Sequence, residues 1–387
     1  MLGGSNPKAC VACGGRFLPG ETFVTISESG STALAYHSTC FTCACCGNPI
    51  EGAFTKRRGG PKEDEMLFYH PDCHSLLFVP DCTVCGGKIP PDPVTRVIMY
   101  SETPYWKQKF CNKHLSDGTK RCFACQRIAS WNQPLITLKE EEGGAVSHDG
   151  EGRAICEECA VTVVASNEDA QVLYEEMRTS FFKDKLGLLT STSSGENKLV
   201  LPEKLPVHLV ATQVLNENAS KRRETHNRSG SSEGGHHTMG LTMSEKRVTF
   251  VKKIGQHLHH DTTQVVSRQN EVTAILILHG LPRLLFCSVM AHECTHAMFR
   301  LSDYPPMNLQ VEEGLCQLIS YLWLQGEGGG KGASHPREKE RVYYINKIFE
   351  EPSEVYGQGF RDAFAAYQKY GLKRVMDHVK LTQMLPC

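Results

Sequence analysis

The sequence predicts an α+β chain in three parts. Two successive pairs of small zinc modules, each a short β-hairpin arrangement around a metal ion, are followed by a larger domain of mixed helices and strands. Three observations carry this. Fourteen of the 18 cysteines fall before residue 160, most of them in Cys/His-x-x-Cys/His pairs. The pairs stop after Cys159. Beyond them, apolar residues recur at helical spacing around a His-Glu-x-x-His motif.

A chain of 387 residues that is 40% hydrophobic is long enough for two or three globular units. With 42 basic and 43 acidic side chains there is no long-range field to draw it to nucleic acid or an anionic membrane. The N-terminus MLGGSNPKAC lacks the basic flank and apolar run of a secretory signal, so a cytoplasmic setting is expected, with the nucleus as a second compartment. In that reducing setting cysteines serve as thiolate ligands rather than disulfides. The long apolar stretch Val272–Ala291 contains His279, Pro282 and Arg283, which a membrane helix tolerates badly; it reads as a buried strand followed by a buried helix.

The ligand pairs group into four sets of four: Cys10, Cys13, His37 and Cys40; Cys43, Cys46, His70 and Cys73; Cys82, Cys85, Cys111 and His114; and Cys122, Cys125, Cys156 and Cys159. Thirteen cysteines and three histidines thus give four closed tetrahedral zinc sites, with Cys45 left over. The expected domains are 8–78 and 79–165, each holding two zinc ions, and 166–387. In such segments zinc replaces a hydrophobic core too small to fold alone, and function lies on the surfaces presented to protein partners.

In the third part, Asn167–Leu186 has helical spacing, Leu205–Thr212 reads as a strand, and Glu217–Gly240, charged and rich in Ser, Gly and His, reads as a mobile loop. His236, His237, His257, His259 and His260 are expected to be solvated, and Gly326–Gly332 to be a linker. His292 and His296, four apart, lie on one face of a helix, one turn apart, where both imidazoles reach one metal. Glu293 beside them can take a proton from an attacking water and deliver it to a leaving amine. Leu284, Leu285, Val289, Met290, Ala297 and Met298 make that helix a buried one. A catalytic zinc needs a third protein ligand and one open position. Glu312 and Glu313, 16 and 17 residues after His296 at the start of the apolar helix Val311–Leu324, both qualify. The ligand count therefore predicts five zinc ions, four structural and one catalytic.

The joint Phe41-Thr42 between the first two sets resembles that of a LIM domain, and residues 10–73 are similar to one throughout. The second pair resembles a LIM domain more loosely, since seven residues separate His114 from Cys122 where a LIM domain has two. The motif helix followed by Glu-Glu-Gly resembles gluzincin peptidases. That resemblance maps the third ligand onto Glu313, the acid directly before Gly314, with Glu312 as the alternative. It also maps a transition-state tyrosine onto Tyr356 of Tyr356-Gly357-Gln358-Gly359-Phe360, and an edge strand along a substrate cleft onto Glu271–Leu278. The combination of the LIM-type units, the motif, Val311–Gln317, Gly280–Leu285 and Tyr370-Gly371-Leu372 is similar to the plant DA-type LIM peptidases. The resemblance implies an endopeptidase of regulatory proteins that is coupled to ubiquitin. Only nine residues precede Cys10, which puts capture by an N-terminal ubiquitin-interacting helix in doubt. A non-catalytic LIM adaptor and an aminopeptidase are the rival readings.

Overall fold

The computed structural model describes residues 9–26, 33–59, 66–95, 97–138, 152–189, 199–225, 239–253, 262–326 and 337–386. Its packing divides the chain into two units: residues 1–119 with 130–132, and residues 120–129 with 133–387. The division thus falls between the third and fourth ligand sets, at residue 119 rather than 166.

The first unit is built from two-stranded antiparallel hairpins, β1 (Phe23–Ile26) with β2 (Leu34–His37), β3 (Thr55–Arg58) with β4 (Met66–Tyr69), and β5 (Tyr100–Glu102) with β6 (Lys109–Cys111). A short helix, α1 (Pro71–Phe78), follows β4. Segments this small bury little, yet Phe41, the residue of the joint between the first two sets, is 2% exposed. Its ring meets Tyr36, Phe54 and Phe68 at centroid distances of 5.0–5.5 Å, so an aromatic cluster spans both modules and fixes them to each other.

The second unit opens with the hairpin β7 (Ile136–Thr137) and β8 (Ala154–Ile155) and the single-turn helix α2 (Glu157–Ala160). Next comes α3 (Asn167–Glu176), capped by Ser166 Oγ accepting from Asp169 N–H at 3.0 Å, and continuing as a wider π-helical stretch, Met177–Lys185. A three-stranded sheet then follows, ordered β10 (Gly240–Lys253), β11 (Thr262–Leu278), β9 (Val207–Val210), with β11 antiparallel to β10 and parallel to β9. The helix α4 (Thr212–Thr225) occupies the first part of the expected mobile loop, so the chain there is helical as far as Thr225. Residues 226–238, with His236 and His237, lie outside the described residues, as do His257, His259, His260 and 327–332.

The strand expected at Glu271–Leu278 is the last part of β11, and it is central rather than an edge. Ile275–Leu278 pair with Gly240–Thr242 and Met239 on one side and with Val207–Val210 on the other, so no backbone groups remain there for a substrate. Among the described residues β10 and β9 are the two edges. The remaining helices are α5 (Arg283–Leu301), α6 (Leu309–Gly326), α7 (Glu338–Phe349), α8 (Gly359–Tyr370) and α9 (Leu372–Thr382). Helix α5 lies against β10, β11 and α6 and is buried almost all round, Phe286, Met290, Ala291, Cys294, Ala297 and Met298 each being 0% exposed. No helix among the described residues is long and apolar enough to cross a membrane.

Candidate metal centres and active site

Each of the four Cys/His sets converges to a point. In the first, Cys13 Sγ and Cys40 Sγ lie 3.3 and 3.7 Å from His37 Nδ1, and in the second Cys46 Sγ and Cys73 Sγ lie 3.5 and 4.0 Å from His70 Nδ1. Ligand atoms about 2.0–2.3 Å from a tetrahedral zinc stand roughly 3.3–3.8 Å apart, so these spacings fit the ion. The other ring nitrogen, Nε2, donates to Arg16 O at 3.4 Å in His37 and to Pro49 O at 3.1 Å in His70, which leaves Nδ1 free of its proton and facing the sulfurs.

The third set reverses the tautomer. Asp117 Oδ2 accepts from His114 Nδ1 at 2.6 Å, while Nε2 is buried without a protein partner and is aimed into the group with Cys82, Cys85 and Cys111. A buried imidazole nitrogen left in this way is what a metal ligand requires. The same turn starts all four sets, with the fourth residue after the first cysteine donating N–H to that cysteine's carbonyl at 2.8–2.9 Å. That residue has φ of +71, +74 and +76° at Gly14, Gly47 and Gly86, and +62° at Gln126, where a non-glycine accepts the left-handed conformation. Burial opposes thiolate formation at Cys10, Cys43 and Cys82, but backbone N–H donors outweigh it and bring all three thiols down to about 6.

The fourth set is part of the second unit's fabric. Arg127, beside it, pairs with Glu158 and, at 3.3 Å, with the buried Glu340 of α7, while Arg337 donates to Glu158 O. Arg153 donates to His279 O at 2.7 Å, Val164 N–H to Leu281 O at 3.1 Å, and Arg283 N–H to Thr162 O at 2.7 Å. These bonds hold the turn between β11 and α5.

On α5, His292 and His296 stack edge to face with centroids 5.0 Å apart. Glu313 reaches them from α6: its Oε2 lies 3.0 Å from His292 Nε2 and 3.4 Å from His296 Nε2. Both spacings suit three donors of one tetrahedral ion. Glu312 does something different, accepting from His296 Nδ1 at 2.7 Å, the position that orients a metal-bound imidazole. The site is nearly closed to water, with Glu293, His296 and Glu313 at 5, 3 and 8% exposure. Burial opposes charge on His296, but the neighbouring thiol and carboxylates raise it well above the ordinary histidine range. In turn the His296 contacts lower Glu313 strongly and bring Glu312 to about 2.

Thr242 of β10 donates its hydroxyl to Glu293 Oε2 at 2.8 Å. Tyr356 lies in the π-helical segment Glu354–Gln358, which packs on α6. Gly314, next to Glu313, touches the Gly359 backbone closely enough that a Cβ there would collide with it, so the Tyr356 segment is seated against the turn that carries the acids. Sequence reasoning did not single out two residues here. Thr242 lies just past the expected loop Glu217–Gly240, where the alternation Leu241-Thr242-Met243-Ser244 was the available signal. Cys316, 0% exposed and one turn beyond Glu313, places Sγ within 4.8 Å of donor nitrogens of both histidines, and burial pushes its thiol up to about 12. Its i+3 spacing from Glu313 was the available signal.

The fold and these sites define a protein with four Cys/His clusters suited to structural zinc, as in LIM-type modules, and a mixed helix and strand unit. The chain belongs to the DA1 family: a family model described as DA1-like, Protein DA1, matches residues 196–335 and 327–382. It is 33% identical over 391 residues to the LIM domain-containing protein HDR3 of Oryza sativa subsp. japonica, covering 91% of this chain and 70% of that protein. It is 32% identical to Protein DA1-related 2 of Arabidopsis thaliana, covering 92% of this chain and 67% of the relative, and 32% identical to Protein DA1 of the same plant, covering 91% and 64%.

Proposed function

We propose that the chain is a zinc-dependent endopeptidase acting on regulatory proteins and coupled to ubiquitin, with His292, His296 and Glu313 as the ligands of its catalytic ion. The observation that carries this reading is Glu313 Oε2 at 3.0 and 3.4 Å from the two Nε2 atoms, with Glu293 on the same helix turn. When bound there, zinc supplies Lewis-acid polarisation of a peptide carbonyl and acidifies a water. Glu293 accepts the proton of the attacking water at its carboxylate and hands it to the departing amine nitrogen. Glu312 holds His296 by its Nδ1 proton, so Nε2 keeps its lone pair for the metal. The open edge of β10 offers backbone groups to an extended substrate, which favours unfolded segments. Tyr356 is assigned as a donor to the developing oxyanion through the gluzincin resemblance. Ubiquitin coupling rests on the DA-type resemblance, and the LIM-type modules are assigned to protein binding.

A second reading has one observation in its favour. If Cys316 Sγ joins the three donors, four protein ligands close the site and leave no position for water, as in a structural centre. Cobalt(II) substitution separates the two, because a thiolate ligand adds an intense near-ultraviolet charge-transfer band that His and Glu ligands lack.

The test of the peptidase reading is Glu293→Gln in the full chain, assayed on an unfolded casein and on N-blocked and free short peptides, with and without attached ubiquitin. Zinc content and melting temperature should stay at wild-type values, since Glu293 is not a ligand. Cleavage should fall by at least ~10²-fold, the low end for removing a general base. Equal cleavage by both proteins would assign the activity to a contaminant and return the chain to the adaptor reading, while cleavage confined to free N-termini would make it an aminopeptidase.

A further inference from the structure

We propose that Thr242 is a positioning residue for Glu293, holding the carboxylate from the edge strand that a substrate would join. The inference deepens the peptidase reading and rests on it. Thr242 Oγ1 lies 2.8 Å from Glu293 Oε2 and 2.9 Å from the backbone oxygen of the same residue. Thr242 is 1% exposed, so water does not compete for these bonds.

A hydroxyl has one proton to give and lone pairs to accept with. While Glu293 is ionised, the Thr242 hydroxyl donates to Oε2. With Oε2 held by the Thr242 hydroxyl, Oε1 is the oxygen left to take the proton of the attacking water and pass it to the departing amine. Thr242 neither gains nor loses a proton in this exchange, and the carboxyl group stays in one place throughout.

The strand is built to come this close. Residues two apart on a strand share a face, so Gly240 and Thr242 both turn toward α5. A Cβ on Gly240 would stand 2.9 Å from Glu293 Oε1 and 2.7 Å from Val289 Cγ1, so any side chain there would push β10 away from the base. Arg300, one turn beyond His296, donates Nη1 to Thr242 O at 3.2 Å, tying the strand to the helix that carries the motif. An extended substrate that pairs with β10 therefore docks on the same element that fixes the base, so binding and proton transfer share one reference frame.

The experiment compares Thr242→Val and Thr242→Ser in the zinc-loaded full chain, with unfolded casein for turnover and acetohydroxamate for binding, the latter a zinc-binding probe whose proton the base shares. Thr242→Val keeps the shape and removes the hydroxyl. It should leave zinc content and KM unchanged, lower kcat roughly 10–100-fold, as for one hydrogen bond to a charged group, and weaken acetohydroxamate several-fold. Thr242→Ser should restore most of both. A Thr242→Val protein with wild-type kcat and acetohydroxamate affinity, or a Thr242→Ser protein as impaired as Thr242→Val, overturns the proposal. The Glu293→Gln protein distinguishes the two levels: if it is inactive while Thr242→Val is fully active, only the positioning role is lost, whereas if it cleaves like wild type, the peptidase reading itself fails.

Discussion

Glu312 and Glu313 are neighbours on one helix turn with the same side chain, yet each meets a different nitrogen. Successive helix positions are rotated by about 100°, so Glu313 is aimed between the two Nε2 atoms while Glu312 reaches around to His296 Nδ1. The consequence is testable by metal analysis of the second unit's motif site. Glu313→Ala should lose the ion, because two imidazoles alone hold zinc weakly. Glu312→Ala should retain most of it at micromolar zinc and show an affinity lower by about 10–100-fold, the usual effect of removing a group that orients a ligand. A variant pair behaving the other way round would transfer the ligand to Glu312. The choice between the two acids was open in the sequence because adjacent carboxylates at a helix start differ only in azimuth, and azimuth becomes meaningful once the facing helix is placed.

At the level of elements, the fourth Cys set is a clamp on the motif helix. Arg283 N–H, at the first residue of α5, is bonded to Thr162 O, Val163 forms an isolated bridge with Pro282, and Arg153 holds His279 O. Cutting the chain at 166 would leave those donors and acceptors unpaired, each at a cost of about 1–3 kcal/mol where buried. A fragment 120–387 should therefore fold cooperatively and bind two zinc ions, while 166–387 should melt lower or aggregate, as read by circular dichroism and metal content. A fragment 166–387 as stable as 120–387 would contradict the clamp. The sheet shows the same dependence on long-range partners. Glu271–Leu278 reads as a strand from its apolar run, but whether it is central or an edge depends on Gly240–Lys253 and Val207–Val210 coming to its two sides. The β10 sequence, GLTMSEKRVTFVKK, carries too many charges to announce itself.

For the whole molecule, the donor sets predict a stoichiometry of five zinc ions per full chain, three from residues 10–114 and two from residues 122–313. Elemental analysis of purified protein should find five, and the ion at the motif should leave first under mild chelation, since a site with three protein ligands binds less tightly than closed Cys-rich ones. A count of four would remove the catalytic ion from the account. The sequence by itself determined the four Cys/His sets and the placing of the histidine pair on one helix face, because such spacing is local: a Cys-x-x-Cys turn and a histidine pair at i and i+4 are each specified within a few residues. It also determined the strand and helix of Val272–Ala291, because apolar periodicity is local too. The tertiary structure alone decided which nitrogen each acid meets, which strands lie at the sheet's edges, that the fourth Cys set belongs with the motif helix, and that Thr242 meets Glu293. Each of these depends on residues 16 or more positions apart brought together by packing, and no pattern within a single segment encodes such a meeting.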